Sequence, residues 1–114
     1  MITKQKTLSP RKPKNNNPTS PENPASASGF FIVINDKGLH TRPSTELVKC
    51  ATRFKAQINL IHQDLVVNAK SLLGILTLAA TRGSRIRVEA EGMDAKQAVD
   101  AIIELARNKF YIHY

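Results

Sequence analysis

Residues 85–91 read Arg-Ile-Arg-Val-Glu-Ala-Glu, and this alternation constrains the fold more than any other stretch of the chain. Successive side chains of a strand point to opposite faces, so Ile86, Val88 and Ala90 share one face while Arg85, Arg87, Glu89 and Glu91 share the other. A strand charged along one side belongs in an antiparallel sheet with one wet face, because parallel strands lie between two covered faces. The rest of the chain must therefore supply partner strands and enough helix to cover one side.

It does. "FFIVI" at residues 30–34 is a β-branched and aromatic run that ends at the turn formers Asn35-Asp36-Lys37-Gly38. Ile58, Leu60 and His62 alternate with Gln57, Asn59 and Ile61, and "LVV" follows after Gln63-Asp64, which predicts a hairpin. Leu47, Val48, Ala51 and Phe54 fall on one stripe of a helix starting near Thr41, with Pro43 in the first turn, where its missing N–H is not needed. A second helix is expected over 71–81, opening at Ser71 and stopping before Gly83. A third is expected over 94–109, where Asp94 and Gln97 have the spacing of a capping box. The order β-α-β-β-α-β-α predicts an α+β fold, a four-stranded antiparallel sheet covered on one face by three helices.

The chain has 114 residues, enough for one domain and too few for two comfortable cores. Residues 1–28 are rich in Pro, Ser and Asn, with five basic side chains, one acidic and little to bury. They read as a disordered basic extension, and 29–114 as the folded domain. No apolar run approaches the roughly 20 residues of a membrane span, and the basic N-terminus lacks the apolar stretch of a secretory signal. With Cys50 as the single cysteine, a cytoplasmic location is expected. The net charge of +8 favours anionic partners without choosing among them.

"GLHTRP", residues 38–43, carries the chemistry to be explained. An imidazole can serve as a nucleophile, and one of its ring nitrogens can accept a phosphoryl group, which makes His40 the candidate acceptor. At a helix N-terminus the unpaired N–H groups and the positive end of the dipole favour a phosphate. Arg42 offers a planar cationic fork to its oxygens, and Gly38 lets the chain bend. The same residues admit a plainer reading, in which His40 caps the helix and Arg42 is a solvated charge.

The stretch "GLHTRPSTELVKCATRF" resembles the active-site segment of HPr, the histidine-containing phosphocarrier family of the bacterial phosphotransferase system, whose hallmark is Gly-Leu-His-(Ala or Thr)-Arg-Pro. "NAKSLLGILTLAATRGSRIRVEAEG" resembles the family's regulatory-serine segment and the strand after it, at the family's spacing. The resemblance spans about residues 29–110 and implies an HPr-like open-faced sandwich. It implies a carrier, not a stand-alone enzyme: His40 takes phosphate on Nδ1 from phosphorylated enzyme I and passes it to a sugar-specific enzyme IIA, and Arg42 steadies the phosphoryl group. Neither a cofactor nor a metal is implied.

Ser71 has a structural role at hand as a helix cap worth about 1 kcal/mol. The resemblance adds a second one, phosphorylation by an ATP-dependent HPr kinase/phosphorylase, with slower transfer at His40 as its consequence. The helix after Ser71 is more apolar than one buried stripe requires, so some of Leu72, Leu73 and Leu76 should be exposed for partner docking, with Lys49, Arg53 and Lys55 adding positive charge. His62, His113 and Cys50 are read without chemical roles, Cys50 as a packing residue. Two features depart from the family: Lys37 stands where Ser or Asn is common, and the N-terminal extension is unusual. A monomer is expected. The rival readings are a chiefly regulatory HPr with little part in sugar uptake, and a small basic nucleic-acid-binding module; the latter is disfavoured by an aromatic content of 5%.

Overall fold

The computed structural model describes residues 25–112. In chain order its elements are β1 (Ser26–Ile32), α1 (Thr41–Ala51), β2 (Gln57–His62), β3 (Leu65–Asn68), α2 (Leu72–Thr77), β4 (Arg85–Glu91) and α3 (Ala95–Arg107), followed by a short turn at Lys109–Tyr111. The sheet runs β1-β4-β2-β3, antiparallel throughout. The alternating segment is β4, a central strand, with Ile86, Val88 and Ala90 buried and its four charged residues exposed. The expected α+β open-faced sandwich is the observed one.

The inward rows of the sheet, with Phe31, Ile58, Leu60, Ile86 and Val88, meet Leu47 of α1, Ile75 of α2 and Ile102 of α3 in one buried core. Each such side chain contributes about 1.5–3 kcal/mol on leaving water. α3 lies close across β1 because Gly29 has no side chain; a Cβ there would stand 2.7 Å from Ile103 Cδ1. The open face is not wholly polar. Phe30, Ile32 and Val66 are exposed on it, and the Arg85 guanidinium lies 3.9 Å from the Phe30 ring centroid, covering part of that apolar surface.

Several boundaries differ from those read in the sequence. β1 begins at Ser26, so residues 26–28, assigned above to the extension, belong to the sheet. Their pairing with Glu89, Ala90 and Glu91 uses backbone groups and is indifferent to their small side chains. Residues 1–24 and His113 lie outside the described residues, and the disordered-extension reading with them. α1 ends at Ala51, and Phe54 reaches the core from the loop beyond it. α2 ends at Thr77 instead of 81: Ala79 turns left-handed at φ 49°, and buried Leu78 and Ala80 carry the chain back toward the core.

α3 begins after Asp94, but the capping box does not form. The Asp94 carboxylate accepts instead from the N–H groups of Lys55 and Ala56, both at 2.9 Å, and so ties the loop before β2 to the start of α3. The N–H of Lys55 is the chief reason its carboxyl is held below the usual carboxylate range.

After α3, Lys109, Phe110 and Tyr111 have φ of 56°, 55° and 60°, three left-handed residues in succession, none of them glycine. Each such residue costs about 1–2 kcal/mol. Burial of Phe110, which meets the edge of Phe31 with ring centroids 5.9 Å apart, helps to offset that cost.

Candidate functional site

His40 stands at the end of a loop that is fixed at almost every step. The turn leaving the first-strand region closes with the Gly38 N–H donating to the Asn35 carbonyl at 3.0 Å. Gly38 is left-handed, at φ 71°, and its Cα faces the Ala80 carbonyl so closely that a Cβ would collide with it. The next residue, buried Leu39, donates its N–H to that same carbonyl at 2.9 Å. Gly38 is thus required by a neighbouring backbone, a more specific reason than freedom to bend. Ser44, fully buried on α1, donates its hydroxyl to the Leu39 carbonyl at 2.9 Å.

His40 occupies the N-cap position of α1 in an extended conformation, φ −77° and ψ −171°. Its carbonyl accepts the first helical hydrogen bond, from Ser44 N–H at 3.0 Å, but its side chain makes no capping bond. The plainer reading of the imidazole as a cap therefore fails. The ring as a whole is half-buried, and its Nε2 is shut off from solvent. Thr41 and Arg42 supply the amides of the first turn, since Pro43 has none. The side chain of Arg42 lies at the surface two residues from His40.

Ser71 is built differently. Its Oγ accepts the Gly74 N–H at 3.0 Å and caps α2, so the structural role read from the sequence is present. Beside it Lys70 donates from Nζ to the Phe54 carbonyl at 2.7 Å. Of Leu72, Leu73 and Leu76, some of which are expected at the surface, Leu73 is 74% exposed, while Leu72 and Leu76 are half-buried. Lys49 and Arg53 are both at the surface, Lys49 near Glu46 at 3.4 Å and Arg53 against the Cys50 sulfur at 3.6 Å. Lys55 is exposed as well, and Cys50 is buried as a packing residue. His62 lies half-buried with Nδ1 3.3 Å from the Leu78 carbonyl.

The fold joins the two candidate phosphate-bearing positions through one short helix: Ser71 caps the start of α2, and Ala80, just past its end, holds Leu39 beside His40. Sequence reasoning missed Ser44, Ala80 and Asn35. Ser44 and Asn35 are the polar residues buried completely among the described ones, and both attach to the His40 loop. A serine one residue past a helix proline looks like a surface residue, and nothing local distinguishes it. Among the described residues, no group of three or more His, Cys, Asp or Glu is placed to hold a metal ion, and no helix is long and apolar enough to cross a membrane.

A family model described as the PTS HPr component phosphorylation site matches residues 28–108. A phosphocarrier protein HPr from Treponema pallidum is 41% identical over 78 residues, which span 68% of this chain and 89% of that protein. A multiphosphoryl transfer protein from Haemophilus influenzae is 46% identical over 77 residues, 65% of this chain but only 15% of that much longer protein. Among solved structures, an HPr-C-His crystal structure from Thermoanaerobacter tengcongensis superposes with a TM-score of 0.74 at 33% identity, covering 77% of this chain and 99% of the other. These likenesses favour the phosphocarrier reading over a nucleic-acid-binding module.

Proposed function

The chain belongs to the HPr family of the phosphotransferase system, and from that premise we propose that it is a cytoplasmic, monomeric phosphocarrier that takes a phosphoryl group on His40 from phosphorylated enzyme I and passes it to a sugar-specific enzyme IIA. The observation that carries the reading is the state of the His40 ring. It sits at a helix N-terminus without capping it, and its Nε2 is enclosed while the ring is half-exposed. A neutral imidazole with its proton on the enclosed Nε2 presents the Nδ1 lone pair for attack. That lone pair forms the new N–P bond as the bond from phosphorus to the donor breaks. Transfer onward reverses the step, and no net proton is needed. The first-turn amides, the helix dipole and Arg42 supply positive potential for the phosphate oxygens.

Leu73, with Leu72 and Leu76 beside it, supplies an apolar docking patch, and Lys49, Arg53 and Lys55 steer acidic partner surfaces toward it. Ser71 is the regulatory site, phosphorylated by an HPr kinase/phosphorylase. The added negative charge, next to the docking leucines, repels those same acidic surfaces and slows transfer at His40.

The test is one preparation treated with phosphoenolpyruvate and enzyme I, then with ATP and the kinase, and read by mass spectrometry under conditions that preserve phosphohistidine. Acid-labile phosphate at His40 and acid-stable phosphate at Ser71 are expected. Undiminished acid-labile labelling of His40→Ala would overturn the first assignment, and no acid-stable phosphate at Ser71 would remove the second.

A further inference from the structure

We infer that Asn35 is a positioning residue for phosphoryl transfer at His40, acting by tying the left-handed C-terminal turn to the root of the His40 loop. The inference rests on the reading of His40 as the phosphate acceptor.

Asn35 is fully buried, five residues ahead of His40. Its side-chain amide donates to two carbonyls from the other end of the chain, Lys109 at 3.0 Å and Ile112 at 3.2 Å. An Asn amide nitrogen carries two hydrogens, so both are spent on bridging the turn that contains Phe110. The backbone of the same residue closes the loop, because its carbonyl receives the Gly38 N–H at 3.0 Å. One residue therefore fixes the start of the His40 loop with its main chain and the C-terminal turn with its side chain.

The turn it holds is not one the chain would adopt unaided. Lys109, Phe110 and Tyr111 are all left-handed without a glycine, a conformation that persists only where the surroundings over-determine it. Phe110 anchors the turn in the core against Phe31 in β1, and the turn also packs against α1. It thereby touches both elements that flank His40: the strand that leads into the loop and the helix that leaves it. Without the Asn35 amide, the Ile112 carbonyl loses this donor and the Lys109 carbonyl keeps only the Ile112 N–H at 2.9 Å, so the turn loses its tie to the loop and gains freedom to relax. The loop root and α1 then lose a shared brace, and the imbedded Nε2 of His40 loses its fixed placement. Small displacements of a reacting group lower rate far more than they lower affinity.

The variant to make is Asn35→Leu, similar in volume and without donors, beside Val88→Ala as a core variant distant from the loop. Both are assayed at a temperature where circular dichroism shows them folded, and kcat and KM are measured for phosphorylation by phosphorylated enzyme I. The expected result is a loss of about tenfold or more in kcat for Asn35→Leu with KM within about twofold, since the docking surface is untouched. Val88→Ala should stay within about twofold in both constants. If Asn35→Leu does not fold, Asn35→Ser replaces it under the same criteria. The inference is overturned if the Asn35 variant transfers like Val88→Ala, or if its loss lies in KM alone. His40→Ala is run in parallel: persistent labelling of that variant defeats the reading of His40 itself, whereas an unlabelled His40→Ala beside an unimpaired Asn35 variant defeats only the role of Asn35.

Discussion

The corners around His40 and Ser71 sit at opposite ends of α2 and its exit, yet they are held in opposite ways. The His40 loop is bound from below by the Ala80 carbonyl, from the helix side by the buried hydroxyl of Ser44 and at its root by Asn35. Ser71 is held by residues within four positions of it, its Oγ by the Gly74 N–H, its N–H by the Asn68 carbonyl and its carbonyl by the Ile75 N–H, at the start of a six-residue helix whose Leu73 projects into solvent. A group that must meet a phosphoryl donor in line profits from a site ordered before the partner arrives. If Ser71 is modified as proposed, its hydroxyl must instead be surrendered to another protein's active site, and a helix end held by short-range bonds suits that. The difference between the corners is thus one of preorganisation, and substitutions on each side should separate along that line.

The largest effect belongs to the proposed nucleophile. His40→Ala should abolish acid-labile labelling while leaving the melting temperature within a few degrees, because the imidazole caps nothing. A large loss of stability in that variant would mean that the ring is part of the framework after all. Gly38→Ala comes next. It puts a methyl group against the Ala80 carbonyl at a left-handed position, and a cost of about 3 kcal/mol is expected from strain and displacement together. Chemical denaturation measures that cost, and labelling of His40 should slow in the same variant. Unchanged stability would show that the loop is far more yielding than its hydrogen bonds imply.

At the other corner the effects shrink and dissociate from the chemistry. Ser71→Ala removes one cap and should cost about 1 kcal/mol in denaturation, with His40 labelling unchanged. Ser71→Asp keeps a good cap, so stability should be retained while the new charge beside Leu73 slows transfer from enzyme I, visible as a raised KM. A raised KM in the alanine variant too would assign the effect to helix geometry in place of charge.

How much of this was readable in the sequence follows from the range of each interaction. The β4 alternation, the hairpin and the position of His40 at the head of α1 are local patterns, and each is found where its residues put it. The extra length of β1 was hidden because Ser26, Ala27 and Ser28 carry no strand signature; the ladder to β4 supplies it. α2 looked longer than it is, because Leu78 and Ala80 are apolar for the sake of the core and not of a helix. Asn35 and Asp94 were read as a turn former and a helix cap, both sound as local chemistry. Their side chains serve partners 74 and 39 residues away, which no window along the chain displays.

The smallest effect tests the Ser71 side from below. Asp94 and Lys70 together hold the loop of residues 54–56, Asp94 through the Lys55 and Ala56 amides and Lys70 through the Phe54 carbonyl. The Asp94 carboxyl is lowered chiefly by the Lys55 N–H, against the opposing pull of desolvation, and further by Ala56 N–H, its own N–H and the charge of Lys70. Its folded pKa lies below the unfolded value near 3.8, so the stabilisation is complete above that value and is lost as pH falls through the depressed folded pKa. Hydrogen-exchange protection of Lys55 and Ala56 should therefore decline on acidification below the unfolded value and be low at every pH in Asp94→Ala. The amides of Leu39 and Ser44, which pair with carbonyls, should keep their protection through the same range. Equal acid sensitivity at both places would mean that the two corners open together, and that the His40 loop is no more firmly set than the helix end that Ser71 caps.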